Sequence, residues 1–418
     1  MRADIDRAAV AALADEPVDW RFKGLPPSWA GRTVAQVCGE RRPLFDDGPV
    51  GPLCAMRADA LEHNLAMMAE WCRGAGVGLA PHGKTHMAPQ LFVRQLDAGA
   101  CAITVATTSQ VRVCRAFGVR DVILANQPLD AAGLRWLAGE LDADPEFGFV
   151  CWVDSVRGVQ IMSAELAAAG ARRPVDVCVE VGMQHGRSGC RSVAEADAVA
   201  RAAGASPRLR LVGVCGYEAA RGHEVTAEAL DRVAAYLVGI RETVRRLSGL
   251  FEADEILVTA GGSTYFDTVA EVLTDWPAGL AVRTVVRSGA YLTHDEGLYA
   301  RTSPLGRTGA PAFRPALSVW AQVVSRPEPD LALLTMGRRD VSFDQDLPVP
   351  RELAGSRLTK LNDQHAYLRL GPTDQPRVDV GTWLQFGISH PCTVFDKWQL
   401  IPVLDPDGRV VDLIRTFF

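Results

Sequence analysis

Between about residues 77 and 290, short apolar runs alternate with amphipathic stretches, joined by polar or glycine-bearing turns. The runs fall at 77–80, 102–106, 121–125, 149–153, 175–181, 209–215, 255–259 and 282–286, and their length and apolarity read as strands. The intervening segments read as helices. The segment "TAEALDRVAAYLVGIRETVRRLSGLF" opens on Thr226, a good N-cap, has Glu228 in its first turn, and places Leu230, Val233, Leu237, Ile240 and Val244 on one face. Eight such units over roughly 215 residues predict a (β/α)8 TIM-type barrel.

The flanks have a different pattern. Before the barrel, "GPLCAM" reads as a strand and "DALEHNLAMMAEWCRG" as a helix. After about residue 312 come strand-like runs broken by Pro and Gly ("ALSVWAQVV", "LALLTM", "AYLRL", "WLQFGI", "WQLIPVL"), and the DPDG at 405–408 is a strong turn signal. The expected organisation is an N-terminal extension (1–50), a barrel (51–300) and a β-rich C-terminal domain (301–418), with the strand near 52–56 joining the last. There is no low-complexity linker and no sequence repeat.

Composition narrows the function classes. With 48% hydrophobic and 22% charged residues, the 418-residue chain can bury a large core. Its 44 basic and 50 acidic residues give a net charge of -6 without a long basic run, which argues against a nucleic-acid partner. No stretch approaches the ~18 uninterrupted apolar residues of a membrane helix, and the apolar patch at 8–14 is flanked by acidic residues and too alanine-rich for a signal sequence. A cytoplasmic protein without membrane contact is expected. The ten cysteines include no C-x-x-C pair and are expected to be free thiols.

The stretch "GLAPHGKTH" matches the phosphate-binding pattern G-x-x-x-x-G-K-[ST] through Gly78, Gly83, Lys84 and Thr85. That motif needs a buried strand ahead of its first glycine, and here the preceding residues are the end of a helix. Lys84 instead lies just past the first barrel strand, where barrel active sites assemble. Only four lysines occur (Lys23, Lys84, Lys360, Lys397), so forty of the 44 basic residues are arginine. An amine can form a Schiff base and a guanidinium cannot. A solvated loop lysine is the plain alternative. Against it, the other strand ends carry polar groups in concert: Thr107 to Ser109, Asn126 and Gln127, Asp154, the segment 182–189 with His185, Arg187 and Ser188, Tyr217, Gly261 to Thr264, and Arg287 to Tyr291. The "AGGST" after the seventh run suits backbone N–H donation to a phosphate.

A second constellation is "GISHPCTVFDKW". His390 and Cys392 are two apart, so in an extended segment both side chains leave one face and can converge on an ion, and a nitrogen–thiolate pair favours zinc. The alternative is a buried structural cysteine beside a solvent-facing histidine.

Together "APHGKTH", "TVATTSQ", "VEVGMQHGRSG", "TAGGST", "RSGAYLTHD" and "SHPC" resemble, in order and spacing, the D-serine dehydratase and D-threonine aldolase family. The resemblance runs from about residue 50 to the C-terminus and leaves the first ~45 residues outside it. It implies an alanine-racemase-type barrel with a β domain, pyridoxal 5'-phosphate, and Lys84 as the Schiff-base lysine. It places Thr107, Gly262, Ser263 and Tyr291 around the phosphate, with His82, Gly261 and Thr264 as further cofactor-binding residues. Arg187 would face the cofactor ring with Tyr217 close by, although the spacing from Gly182 to Arg187 exceeds the short G-M-x-R of the wider superfamily. His390 and Cys392 would hold Zn2+. The aldolase branch carries an Asp where this chain has Cys392, so the expected activity is dehydration of a small D-3-hydroxy amino acid. In that reaction Lys84 removes the α-proton and the metal assists departure of the β-hydroxyl. The nearest alternative is a D-3-hydroxy amino acid aldolase. A racemase would need a second base, a non-catalytic cofactor carrier would need only the barrel, and a P-loop kinase is the remotest reading. The family implies a homodimer.

Overall fold

The computed structural model describes residues 4–309 and 311–418. Its contacts form two compact units, each discontinuous in sequence. One comprises residues 4–6, Ala69–Lys84 and Gln95–Gly289; the other comprises Arg7–Met68, Thr85–Arg94 and Ala290–Phe418.

The first unit is the barrel. Its strands are Gly78–Leu79, Ile103–Val105, Asp121–Leu124, Gly148–Val153, Val175–Val181, Leu209–Gly216, Ile256–Ala260 and Val282–Val286. All pair in parallel, the first strand lying beside the eighth. The ring closes between the first and second strands through a parallel bridge from His82 to Thr104 and the bond from Cys101 N–H to Leu79 O (2.7 Å). Five of the intervening helices share one device at their start: Thr107, Asp130, Ser155, Ser192 and Thr226 each accept a backbone N–H three residues on. Such a cap contributes about 1 kcal/mol and fixes where strand-exit loop gives way to helix.

Side chains alternate across a strand, so one parity of each fills the barrel. Ala80, Ala102, Ile123, Val150, Trp152, Cys178, Val212, Cys215, Leu257 and Val285 form a buried cluster there. Continuing that parity toward the C-terminal ends of the strands brings in His82, Asp154, Glu180, Thr259 and Arg287. A register shift between Val177 and Cys178 against Gly213 resets the phase on the sixth strand.

The second unit is built on a mostly antiparallel sheet in the order Arg357–Leu361, Ala366–Arg369, Leu331–Leu334, Leu317–Glu328, Leu53–Arg57, Leu400–Leu404, Val410–Arg415. Trp383–Gly387 also pairs with Leu317–Glu328. The "GPLCAM" strand sits centrally, antiparallel to Leu317–Glu328 and parallel to Leu400–Leu404. The N-terminal stretch packs into this unit too. Val18, Phe22, Leu25, Trp29, Val34, Val37 and Leu44 are buried with Leu53, Leu400, Val410 and Leu413, and Trp29 donates its indole N–H to Asp47 (3.0 Å). These residues are part of a core, each large side chain contributing about 1.5–3 kcal/mol of apolar burial.

All ten cysteines are free thiols, and no helix among the described residues is long and apolar enough to cross a membrane.

Candidate active site

Lys84 lies in a single 3-10 turn, Gly83–Thr85, after the first barrel strand, with its side chain exposed. Gly78 itself opens that strand. The G-x-x-x-x-G-K-[ST] match therefore spans a strand and a turn, without the strand-then-loop context that cradles nucleotide phosphates, and the P-loop reading fails.

Three cations act on His82. Its Nδ1 is shielded from solvent and has no hydrogen-bond partner. Burial, reinforced by the charges of Lys84, Arg287 and Arg187, pushes its pKa well below the usual imidazole value, so the ring is neutral at pH 7. One buried ring nitrogen at the barrel mouth is thus unspent.

Arg287 is the principal residue that the sequence reading left without a role. It is buried, donates to Thr259 Oγ1 (2.6 Å) and Gly216 O (2.7 Å), and lies over the Trp152 ring at 5.5 Å. Arg187, expected to face the cofactor ring, is exposed and stacked on Tyr217 at 4.8 Å. Strand parity carries the signal that separates them: residues 283, 285 and 287 share the inward face, whereas Arg187 lies in a loop where no parity holds.

The glycine turn at 261–264 is tightly specified. Gly261 has φ +93°, and a Cβ there would meet Val286 Cγ1 at 2.9 Å; at Gly262 it would meet Tyr217 Cε2 at 3.0 Å. Gly261 and Gly262 donate their N–H groups to the two oxygens of Glu218 (2.9 and 2.7 Å). Thr264 Oγ1 lies 2.7 Å from His223 Nδ1. Glu180, buried at the end of the fifth strand, accepts from Gln127 (2.6 Å) and Ser188 (3.1 Å). Thr107, expected beside a phosphate, uses its hydroxyl as a helix cap, accepting from Gln110 N–H. Tyr291 belongs to the second unit, where its ring is buried 5.9 Å from Phe313.

The second unit brings His390 and Cys392 together, though not as an extended strand. His390 has φ +61°, Pro391 follows, and Cys392 opens the short helix Cys392–Phe395. Convergence comes from a left-handed residue rather than strand alternation. That conformation is held by the bond from His390 N–H to Asp295 Oδ2 (2.9 Å). The ring Nδ1 lies 2.5 Å from Asp344 Oδ2. Burial alone would lower the His390 pKa, but the Cys392 sulfur and the Asp344 carboxylate outweigh it and raise it to about 9. Thr393 donates to Asp344 Oδ1 (2.8 Å), fixing the carboxylate. Cys392 is half-buried against Ala290, Leu298 and Tyr299, with its sulfur 3.3 Å from the hydroxyl of Thr85. Asp344 had no sequence signal: it is 46 residues from its partner, in an irregular loop.

Comparison with known proteins gives this geometry a family. Residues 56–293 match the alanine racemase N-terminal domain, and residues 316–404 match a putative serine dehydratase domain. The chain is 30% identical over 355 residues to the D-threonine aldolase of Arthrobacter sp, spanning 84% of this chain and 88% of that protein. It belongs to the D-serine dehydratase/D-threonine aldolase family. As a member it is a lyase of a pyridoxal-phosphate-dependent fold family, acting on D-hydroxy amino acids. The D-threo-3-hydroxyaspartate dehydratase of Delftia sp. strain HT23 is 26% identical over 388 residues, covering 86% of this chain and 95% of that one. Among solved structures, the D-threonine aldolase of Filomicrobium marinum shares the fold with a TM-score of 0.76 at 24% identity, covering 89% of this chain and 95% of that chain. The Delftia dehydratase does so with a TM-score of 0.71 at 24% identity, over 88% and 97%. The latter has also been solved with one histidine replaced by alanine and, in a metal-free form, with a cysteine two positions further replaced by alanine.

Proposed function

We propose that this lyase removes water from a D-3-hydroxy amino acid such as D-serine, yielding a 2-oxo acid and ammonia, with pyridoxal 5'-phosphate held by the barrel and Zn2+ held by His390 and Cys392. The observation that carries the proposal is the imidazole–thiol pair. A nitrogen and a sulfur donor suit zinc, and the same histidine-x-cysteine spacing is the one altered in the Delftia dehydratase variants, one of them metal-free. The aldolase reading has its own support in the 30% identity to the Arthrobacter enzyme.

The barrel residues suit the anionic cofactor. His82 Nδ1 is a buried polar atom without a partner, and the charges of Lys84, Arg287 and Arg187 favour phosphate and phenolate groups. Lys84 would hold the cofactor covalently through its amine, Ser263 and Thr264 would contact the phosphate, and Arg287, rather than Arg187, would face the ring. When bound, the cofactor supplies an electron sink that acidifies the substrate α-carbon.

The chain's residues then divide the work. The Lys84 amine would take the α-proton as general base. Arg287, fixed by Thr259 and the Gly216 carbonyl, would hold its guanidinium toward the ring. Neutral His82 accepts or donates one hydrogen bond without adding charge. In the second unit, Asp344 orients the His390 ring through Nδ1, leaving Nε2 as its metal-directed nitrogen. Zinc would supply Lewis acidity that turns the β-hydroxyl into a better leaving group. Zinc would rest on this pair, with its remaining positions open to water and substrate. Loss of the β-hydroxyl and the α-proton gives an enamine, which hydrolyses to 2-oxo acid and ammonia.

Incubating the zinc-loaded protein with D-serine should release pyruvate and ammonia in equal amounts, with no turnover of L-serine. Absence of both products across a panel of D-3-hydroxy amino acids would remove the dehydratase reading.

A further inference from the structure

We infer that Glu218 is a positioning residue for the cofactor phosphate: its carboxylate clamps the Gly261–Gly262 turn so that Ser263 presents its N–H and hydroxyl to the anion. The inference rests on the cofactor reading above and adds a residue to it. Glu218 begins the turn Glu218–Arg221 after the sixth strand, next to the seventh strand whose end carries the glycines. Only 3% of it is exposed, an expensive place for a carboxylate unless both oxygens are bonded. Both are, to adjacent backbone N–H groups at 2.9 and 2.7 Å.

Those two donors are therefore spent. The N–H groups of a glycine-rich strand-exit turn are the usual recipients of a phosphate. Here the first two are held by an internal carboxylate, and the task passes to the next residue, half-buried Ser263. The clamp matters because this turn cannot hold itself. Gly261 stands at φ +93°, a conformation whose glycine gains the most freedom when released, and a Cβ added at Gly262 would meet Tyr217 Cε2 at 3.0 Å and Glu218 Oε1 at 3.4 Å. A bidentate carboxylate fixes both peptide planes at once.

The alternative is that Glu218 sits in the phosphate's own seat and must leave when the cofactor binds. The two readings differ in sign. Glu218→Asp keeps the negative charge, so repulsion of the phosphate is unchanged, but retracts the carboxylate by one methylene. A positioning role predicts that it weakens pyridoxal phosphate binding by roughly tenfold, the loss of a charge-assisted hydrogen bond, while binding of pyridoxal, which lacks the phosphate, is unmoved. Both affinities can be read from visible absorbance and tryptophan fluorescence titrations of cofactor-stripped protein. Equal weakening of the two ligands would mean a merely structural residue. Unchanged or tighter pyridoxal phosphate binding would mean a competitor or a bystander. Either result overturns the inference. If the Asp variant fails to fold, Glu218→Gln keeps the length but removes the charge, which by itself favours phosphate; weaker binding of pyridoxal phosphate relative to pyridoxal then supports the clamp all the more, and an unchanged or tighter ratio overturns it. Wild-type protein that binds neither ligand would sink the cofactor reading itself, a result distinct from failure of the clamp.

Discussion

Lys84 and Arg287 illustrate what a single residue discloses from sequence. Lys84 stands out because amines are scarce in this chain and its position follows a strand. Arg287 is one of forty arginines, and only its inward parity on the eighth strand marks it. Lys84→Arg should keep the positive charge and lose the visible absorbance of the lysine-bound cofactor together with turnover, since a guanidinium does not condense with an aldehyde. An unchanged spectrum with ordinary turnover would remove the covalent role. His82 yields a pH prediction. Its folded pKa is depressed below the ordinary 6.5, so between the two values the unfolded chain binds a proton that the folded chain refuses. Its presence therefore lowers stability as pH falls below about 6.5 and has no such effect above it. Thermal unfolding of cofactor-free wild type and His82→Gln should diverge on acidification, the wild type losing more; parallel curves from pH 7 to pH 5 would show that the ring is not held neutral.

At the scale of elements, the eight barrel strands lie within a residue or two of their apolar runs, because strands buried on both faces are written as continuous apolar strings. The segment carrying His390 and Cys392 is not the extended one its spacing suggests. A left-handed histidine has no local sequence signature, and what holds it, Asp295, is 95 residues away. The Glu218 clamp was equally illegible, since its bonds cross 43 and 44 residues to backbone groups that carry no residue identity. The metal proposal is tested on this element. Chelation should abolish elimination while sparing the cofactor's visible absorbance, and zinc should restore it better than magnesium or manganese. Cys392→Asp should shift that preference toward the harder ions. Full turnover of chelator-treated, metal-free protein would sink the zinc-assisted mechanism and leave the cofactor assignment intact.

Across the whole molecule, the N-terminal stretch shows most clearly where sequence reading stops. Its short 3-10 and α-helical pieces have no sustained periodicity, so they resembled a lead-in, yet Trp29 is only 1% exposed in the core of the second unit. Trp29→Ala should destabilise the protein by about 3–5 kcal/mol through cavity formation and loss of the indole bond to Asp47; denaturant unfolding with an unchanged midpoint would contradict this packing role. The thiols give a second global check. Burial pushes Cys72, Cys114 and Cys190 up to about 12, so at pH 8 they stay protonated and shielded. Cys38 is raised to about 12 as well, so a thiol reagent should label the metal-free native protein chiefly at half-buried Cys392, and all ten cysteines only after unfolding. Light scattering at micromolar concentration tests the proposed homodimer, a fully active monomer being the adverse result.

D-threonine discriminates between the two family chemistries in one tube, because loss of water leaves its four-carbon skeleton whole and cleavage between Cα and Cβ splits it. The zinc-loaded protein is therefore to be incubated with D-threonine and its products quantified together. Elimination assisted by His390 and Cys392 should give 2-oxobutanoate and ammonia in equal amounts; glycine and acetaldehyde as the dominant pair would contradict it and make the protein an aldolase.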